Sequence, residues 1–378
     1  MARGRAAWKQ ALDIKPHMAR LFGGMEVLAP YLTQALRYYS RTAPVDKALL
    51  FEDFSRPLRL DEPRYCVANA TLSAHNVDGI YGERSDVHVT SALLEDYFVT
   101  GHTLYPISRD TSIIADNKGI PLPWGITYPS PSWRGPIRIP GIYAAVPNVN
   151  NYYHLLVDFL MPVMSVMLRN PNRFGGPFTF VVNHPSAAVD FTASLLRDMG
   201  FDVRVRIISM GDTVTGDQYL WAKTKGGSTE HGYAFRPEMD MLGSEIERRI
   251  AHIHVPKKVY IPRTATKLRN LINQNELMYG LAAKGFAAVK FDWMNLLEQI
   301  AVFRHAEQIV SVHGAALTNM AWGTQSSVRE IFPNNARKTT YLHIGSQNDW
   351  AYAFHLGSDE KARQNFLAPV QEILSSVA

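Results

Sequence analysis

Two short stretches of the chain hold side chains whose types and spacing could do chemistry. In the first, "NVNNYYHLLVDFLMPV", His154 and Asp158 are four residues apart and would share one face of a helix. A carboxylate beside an imidazole orients the ring and raises its basicity, which is what a general base requires. The same two side chains could instead satisfy each other on a half-buried helix, and this structural alternative stays open.

The second stretch, "IVSVHGAALTNMAWG", is an apolar run that breaks at His313 and Gly314 and continues with small residues at helical spacing. Glycine permits a tight turn, and the first N–H groups of the following helix are unpaired at the positive end of its dipole. Such a helix start binds anions, and His313 and Arg263 could add a donor and a bidentate clamp that suit a diphosphate. The alternative is a tight turn in an ordinary Rossmann-like domain, with Arg263 in a surface salt bridge.

Two sets of alternating strands and helices must position these residues. The first set predicts a helix, a strand, a helix and a strand over residues 152–169, 178–182, 187–199 and 202–208. The second predicts strands over 258–262, 286–291, 308–312 and 328–332, and helices over 273–285, 293–306 and 314–321. This alternation implies parallel sheets, in which ligands bind at the carboxyl ends of the strands. Arg263, Asp292 and His313 each follow a predicted strand at that edge.

The chain before residue 150 has a different character. Residues 1–48 have a helical pattern and carry eight Lys and Arg against three Asp and Glu, so they account for the whole net charge of +5. They predict a solvated helix or, alternatively, one that faces anionic lipid. Residues 49–148 are rich in Pro, Gly, Thr and Tyr and predict an irregular β-rich section. The segment "KTKGGSTEHG" is the best candidate for a linker between the two later sets.

Composition excludes several classes of protein. The sequence has no 18-residue uncharged apolar run and no secretory h-region, so we expect neither a transmembrane helix nor a signal peptide. The single cysteine, Cys66, fits a reducing compartment, and no metal-binding motif is present. A basic stripe with interleaved aromatic residues is also lacking, so we expect no nucleic-acid partner. These features predict a cytoplasmic protein.

Three segments together resemble glycosyltransferase family 61 over about residues 150–335. They are "NYYHLLVDFLMPV", "KVYIPRTATKLRNLINQNEL" and "LLEQIAVFRHAEQIVSVHGAALTNMAWGTQSSVREIFP". The chain departs from the family pattern at Leu155, where Trp is frequent, and at Ala316, where Gly is common. The resemblance implies an α/β GT-B fold, in which two Rossmann-like domains with parallel sheets face a cleft, plus a helical N-terminal region. The implied division is a basic helical region, an acceptor-side domain, a nucleotide-sugar-binding domain and a tail with a helix, at residues 1–48, 49–230, 231–345 and 346–378.

The resemblance also implies an activity and a set of site residues. The activity is inverting transfer of a sugar from a nucleotide sugar to a hydroxyl of a glycan or lipid-linked glycan, with no cofactor and no essential metal. His154 and Asp158 would be catalytic, and Asn151 and Tyr153 would lie on the acceptor side. Glu330 would lie near the nucleoside ribose. The donor side would comprise Arg263, Lys267, Arg269, His313, Gly314, Ala315, Asn319 and Glu330.

The setting that we expect is bacterial surface polysaccharide (capsule) biosynthesis, with residues 1–48 in peripheral contact with the inner face of the cell membrane. Two alternatives stay open. One is a non-catalytic nucleotide-sugar or glycan-binding protein, and the other is a GT-B-like nucleotide-sugar epimerase. The aromatic residues Tyr152, Tyr153 and Trp322 could either pack in the core or stack on a sugar or base.

Overall fold

The structure is a computed structural model, and it describes the second half of the chain more fully than the first. The described residues are 49–50, 54–56, 66–67, 87–95, 97–101, 104, 107–108, 136–146, 151–209, 211–224, 235–263, 270–323, 326–333, 340–359 and 365–377. The predicted helical region 1–48 and most of the predicted linker lie outside the described residues.

The described residues form sixteen strands and seven α-helices, together with one π-helical and three 3₁₀ segments. The strands of the first part are β1 Leu49–Leu50, β2 Phe54–Arg56, β3 Cys66–Val67, β4 Val87–Leu94, β5 Tyr97–Thr100, β6 Ile107–Ser108, β7 Ile137–Ala145, β8 Phe178–Val182, β9 Val203–Ile207 and β10 Thr213–Thr224. The later strands are β11 Lys258–Ile261, β12 Ala287–Ala288, β13 Gln308–Val312, β14 Ser327–Pro333, β15 Ala351–Asp359 and β16 Phe366–Leu367. The helices are α1 Met161–Arg169, α2 Ala187–Asp198, α3 Arg236–Ile250, α4 Gln274–Ala283, α5 Leu296–His305, α6 Thr340–Gln347 and α7 Val370–Ser376.

The first sheet has nine strands, of which the main path runs β1-β4-β10-β7-β8-β9. Strands β10, β7, β8 and β9 are mutually parallel, whereas β4 and β5 pair with β10 in antiparallel register. Among the parallel strands the chain order is 3-2-1-4, which places the topological switch point between β7 and β10. Strand β8 is apolar except for one threonine and is buried at all five positions, as expected for a strand covered on both faces.

The second sheet has seven strands in the main order β12-β11-β13-β14-β15-β16. Its first five strands are parallel and follow the 2-1-3-4-5 order of flavodoxin-like folds, with the switch point between β11 and β13. Strand β16 closes one end in antiparallel register, and the short β3 pairs with β15. Strand β15, which lies in the predicted tail after residue 345, is therefore an integral strand of this sheet.

The two faces of the second sheet are covered by different helices. Leu277 and Leu281 of α4 and Ile373 of α7 pack with one set of strand residues, including Tyr260 and Val310. On the other face, α5, α6 and the 3₁₀ helix Ala315–Trp322 pack in an apolar cluster that also holds side chains of β4, β8, α1 and α2. The two sheets therefore share one apolar core, in which Phe191 of α2 contacts Trp322 edge-on at 5.5 Å between ring centroids.

The helix after β7 contains a π-helical segment, His154–Leu160, that continues directly into α1. The N–H of Met161 donates to the carbonyl of Leu156, five residues back. Pro162 has no N–H, so an α-helical hydrogen bond to the carbonyl of Asp158 cannot form, and its ring would clash with that carbonyl. We attribute the wider turn to this proline, because π-helical turns accommodate one extra residue where the regular ladder is interrupted.

Most predicted elements of the two alternating sets are confirmed with bounds shifted by a few residues. The strand over 308–312 is observed as predicted, and α5 begins at a capping box in which Asn295 and Glu298 exchange hydrogen bonds of 2.7 and 3.0 Å. The strand predicted over 286–291 is reduced to Ala287–Ala288. The segment predicted as a helix over 314–321 is a 3₁₀ helix. Mixed α/β architecture with parallel-rich sheets is confirmed, whereas the two-lobed GT-B arrangement and its domain boundaries stay predictions.

Candidate functional site

The first part of the candidate site is the predicted pair on the π-helical segment. Nδ1 of His154 lies 2.6 Å from Oδ2 of Asp158, and the side chain of His154 is 31% exposed whereas that of Asp158 is 12% exposed. A carboxylate on Nδ1 selects the tautomer that carries its proton there and leaves Nε2 as the basic nitrogen. The pair follows the carboxyl end of β7, at the switch point of the first sheet.

Two neighbours of this pair were predicted to lie on the acceptor side. Asn151 is exposed and precedes the helix; its carbonyl accepts a hydrogen bond from Leu155 N at 2.8 Å, and its side chain lies 3.5 Å from His154 N. Tyr153 is 8% exposed, and its ring contacts His154 at 5.4 Å and Tyr341 at 6.1 Å, in both cases edge-on. Asn151 is therefore accessible to solvent, whereas the buried ring of Tyr153 packs against the imidazole of His154.

The second part of the site is a corner formed by the loops after β11 and β13. Nη1 of Arg263 donates a hydrogen bond to the carbonyl of His313 at 2.6 Å, and the backbone N–H of Arg263 donates to Oε1 of Gln274 at 3.0 Å. The two strands are neighbours with Ile261 opposite Ser311, so the residues that follow them emerge together. This is the switch point of the second sheet, where open α/β sheets bind ligands.

Gly314 was predicted to permit a tight turn, and its observed conformation is different. Its backbone is extended, with φ and ψ both 175°, so it does not use the left-handed conformation that favours glycine. A Cβ at this position would lie 2.8 Å from Nη1 of Arg263. Any side chain at this position would therefore require the guanidinium to shift.

The 3₁₀ helix starts at this corner and keeps its first residue accessible. Ala315 is exposed and Gly314 is half-buried, and the first backbone hydrogen bond runs from Leu317 N to the carbonyl of Gly314 at 3.1 Å. At any helix start the preceding N–H groups have no partner within the helix. Gly314 and Ala315 therefore present backbone at the position where the sequence predicts an anion.

The imidazole of His313 is hydrogen-bonded to the buried carboxylate of Glu330. Nδ1 of His313 makes a short hydrogen bond with Oε1 of Glu330, and the hydroxyl of Tyr352 donates to Oε2 of the same carboxylate. Phe332 stacks on the imidazole with a centroid distance of 4.9 Å and an interplanar angle of 23°. Glu330 is fully buried, and its expected contact with a ribose stays a prediction. Its carboxylate bears on the site by orienting His313.

Asn319, which is predicted on the donor side, is also buried. Its Oδ1 accepts a hydrogen bond from the hydroxyl of Tyr152 at 2.7 Å, and its Nδ2 lies 3.1 Å from the carbonyl of Ala316 and 3.4 Å from Oε1 of Gln299. Trp322 Nε1 donates to the same tyrosine hydroxyl at 3.0 Å. The polar atoms of Asn319 therefore join the 3₁₀ helix to the first part of the site, and its contact with the donor stays a prediction. Tyr152 and Trp322 pack in the core.

Tyr341 is a residue of the site that sequence reasoning missed. Its ring lies 5.5 Å from that of His313 and 6.1 Å from that of Tyr153, so it connects the two parts. It belongs to a stretch without resemblance to the family, and nothing in the local pattern indicated it. Gln274 was also missed, although its position at the start of α4, close after β11 in the chain, is typical of residues that support a ligand loop.

The remaining predicted residues, Lys267 and Arg269, lie outside the described residues. Within the described part of the chain, no group of three or more His, Cys, Asp or Glu could hold a metal ion. None of the described helices is both long enough and apolar enough to cross a membrane.

The fold and the site point to one class of protein. Parallel-rich sheets with polar residues at both switch points are consistent with an α/β glycosyltransferase. Residues 152–329 match the family model Glycosyltransferase 61, which confirms glycosyltransferase family 61 for this segment of the chain. No curated protein sequence matches the chain at a significant level. The family indicates glycosyltransferase activity, with a sugar donor and a glycan acceptor.

Proposed function

We propose that the protein is an inverting glycosyltransferase that moves a sugar from a nucleotide sugar to a hydroxyl of a glycan or lipid-linked glycan. The observation that carries the proposal is the contact between Arg263 and His313 at the switch point of the second sheet, 2.6 Å from Nη1 to the carbonyl oxygen. It places a cation, an imidazole and the start of a 3₁₀ helix at one edge, beside a family match that indicates sugar transfer.

The donor diphosphate binds at this corner. The guanidinium of Arg263 supplies a charge and N–H groups in a planar fork that matches phosphate oxygens, and the backbone at Gly314 and Ala315 adds neutral donors. These groups are fixed before the donor arrives, because Arg263 is anchored on His313 and Gln274. Preorganised donors of this kind are worth about 2.7–4 kcal/mol each when they face charge that grows in the transition state.

The acceptor hydroxyl is activated by His154. Its Nε2 takes the proton of the hydroxyl, and Asp158 stabilises the imidazolium that forms through the hydrogen bond of 2.6 Å at Nδ1. The acceptor oxygen forms the new bond to the anomeric carbon while the bond from that carbon to the diphosphate oxygen breaks. The diphosphate leaves with the bonding electron pair, through a state in which the sugar has oxocarbenium character.

Charge that develops on the leaving diphosphate is met by Arg263 and by His313. Glu330 accepts from Nδ1 of His313 and so orients the imidazole, with Nε2 on the side of the ring away from the acid. Tyr352 and Phe332 fix the carboxylate and the ring. This arrangement supplies the leaving group with charge and donors from the protein, and we propose that the reaction requires neither a cofactor nor an essential metal.

We also propose a setting for the reaction. The acceptor belongs to a bacterial surface polysaccharide under assembly, and the protein works in the cytoplasm at the inner face of the membrane. The basic residues of segment 1–48 support the membrane contact, since eight Lys and Arg against three acidic residues favour anionic lipid.

Calorimetry with nucleoside diphosphates tests the proposal directly. The wild-type protein should bind at least one of a panel of uridine, guanosine, cytidine and adenosine diphosphates, with the same affinity in the presence of EDTA. Arg263→Ala should weaken that binding roughly 10-fold to 150-fold, because hydrogen bonds to charged groups contribute about 1.5–3 kcal/mol. Arg263→Lys keeps the charge without the fork and should be intermediate.

Unchanged affinity in Arg263→Ala would remove the diphosphate from this corner. Loss of affinity in EDTA would show that a divalent ion takes part. Incubation of the matching nucleotide sugar without an acceptor should leave it intact, and formation of an isomer would instead indicate an epimerase.

A further inference from the structure

Trp293 is the most exposed large apolar side chain among the described residues, with 80% of its surface accessible. It ends the 3₁₀ turn Phe291–Trp293, which follows β12. Nζ of Lys290 lies over one face of the indole, 4.4 Å from the centroid. With one face taken by a cation and most of the residue exposed, the opposite face is open to a flat ligand.

The turn that carries Trp293 is rigidly anchored from beneath. Phe291 is buried and contacts Phe303 edge-on at 5.8 Å. Nε2 of Gln299 donates to the carbonyls of Phe291 and Met294, at 3.1 and 3.2 Å. An exposed indole on such a support loses little conformational freedom when a ligand stacks on it.

The same glutamine ties this turn to the donor corner. Its Oε1 lies 3.4 Å from Nδ2 of Asn319, in the 3₁₀ helix that starts after Gly314. The strands agree with this placement, because β12, β11 and β13 are consecutive neighbours and parallel. Adjacent strands lie about 4.8 Å apart, so the edge from β12 to β13 spans about 10 Å, comparable with the length of an extended nucleoside diphosphate.

From these contacts we propose that Trp293 is the stacking platform for the base of the donor nucleotide, an inference that rests on the proposed donor site. The diphosphate lies at Arg263 and His313, and the nucleoside extends along the carboxyl edge of the sheet towards β12. The base stacks on the face of the indole opposite Lys290. Stacking recognises the flat π surface shared by all bases, so Trp293 contributes affinity for a nucleoside without selecting one base.

The chain offers a matched control for this surface. Tyr279 is also an exposed aromatic residue, 72% accessible, but it lies on α4. That helix covers the opposite face of the sheet, where Leu277 and Leu281 pack against Tyr260 and Val310. Comparison of Tyr279→Ala with Trp293→Ala therefore distinguishes the general effect of losing an exposed aromatic ring from the specific effect of losing the ring at the donor edge.

The test compares nucleoside diphosphates with inorganic pyrophosphate, by calorimetry on the full chain. Uridine and guanosine diphosphate should bind Trp293→Ala roughly 5-fold to 150-fold more weakly than wild type, because base stacking on an aromatic side chain has that range of effect. Pyrophosphate should bind both proteins equally. Trp293→Phe should retain most of the affinity for the nucleotides, Tyr279→Ala should match wild type, and melting temperatures verify that each variant folds.

Each contrary result is decisive. Equal nucleotide affinity in wild type and Trp293→Ala, with loss in Arg263→Ala, would overturn the platform and leave the donor site standing. Absence of binding of both nucleotides and pyrophosphate to wild type would overturn both. Loss of binding to phosphatidylserine vesicles in Trp293→Ala, with nucleotide affinity unchanged, would instead assign the indole to a lipid surface.

Discussion

The hydroxyl of Tyr152 lies 2.7 Å from Oδ1 of Asn319 and joins two elements that are 167 residues apart in sequence. One is the helix that carries His154 and Asp158, and the other is the 3₁₀ helix that begins beside His313. Trp322 donates to the same hydroxyl at 3.0 Å, so the tyrosine oxygen is both donor and acceptor. Buried hydrogen bonds therefore join the helix that carries the proposed base to the 3₁₀ helix at the proposed donor corner.

Removal of this hydroxyl should destabilise the protein. Tyr152→Phe leaves Nε1 of Trp322 and Oδ1 of Asn319 without their partner in a buried region. A buried polar group that loses its hydrogen bond costs about 1–3 kcal/mol. The free energy of unfolding should therefore fall by about 1 kcal/mol or more. Denaturant titration measures it, with Tyr279→Phe on the exposed surface of α4 as control. Equal stability of the two variants would show that the linkage contributes nothing.

Substitution of the proposed base should affect turnover far more than donor binding. His154→Ala should lower kcat about 10²-fold to 10⁴-fold, the usual contribution of a positioned general base. Asp158→Asn should have a smaller effect in the same direction, because the amide still occupies the site 2.6 Å from Nδ1 but carries no charge. His184 is exposed and remote in the chain, so His184→Ala serves as control. A parallel loss of nucleotide affinity and kcat in His154→Ala would exclude the base role.

A methyl group at Gly314 should disturb the donor corner without touching the ligand. The new Cβ would lie 2.8 Å from Nη1 of Arg263, so the guanidinium must move and its hydrogen bond to the carbonyl of His313 must lengthen. We expect Gly314→Ala to weaken nucleoside diphosphate binding about tenfold or more, since 1.4 kcal/mol corresponds to a factor of ten. Gly175→Ala is the matched control, because no atom lies within 4 Å of a Cβ there. Similar affinity in both variants would mean that Arg263 does not position the diphosphate.

Glu330→Gln tests whether the buried acid positions His313. The amide is similar in size but removes the charge beneath the imidazole, so kcat should fall while donor affinity changes little. Tyr352→Phe removes only the second hydrogen bond to the carboxylate and should have a milder effect on kcat. An unaltered kcat in Glu330→Gln would reduce the acid to a purely structural role.

The stability of the second sheet should depend on pH through His355. Its ring is fully buried, and burial lowers its pKa, although Glu372, 2.8 Å from Nδ1, opposes that shift and Arg329 adds to it. An unfolded histidine titrates near pH 6.5, so below about that pH the unfolded chain binds a proton that the folded chain does not. The free energy of unfolding should therefore decline as the pH falls below about 6.5. The melting temperature of wild type should drop more between about pH 7.5 and 5.5 than that of His355→Gln. An equal drop would assign the pH dependence to other groups.

Local pattern was sufficient for most of the elements that the sequence predicts within residues 152–332. The apolar strand Gln308–Val312, the capped helix α5 and the long helix after β7 each depend on side chains close in sequence, so their signals survive in the sequence alone. The same holds for the spacing of His154 and Asp158, which one turn of helix brings together.

Only the tertiary structure decided which polar residues are buried beside the candidate site and with which partners. Glu330 and Asn319 are predicted on the donor side, and the structure places the first against His313 and the second against Tyr152. Parallel strands are buried on both faces, so apolar and polar positions do not reveal which side is open. Tyr341 contacts His313 through long-range packing, and β15 joins the sheet through long-range pairing with β14. Local periodicity encodes neither relationship. The sequence by itself determined the residue types available for chemistry, and the packing of the two sheets determined which of them face outward.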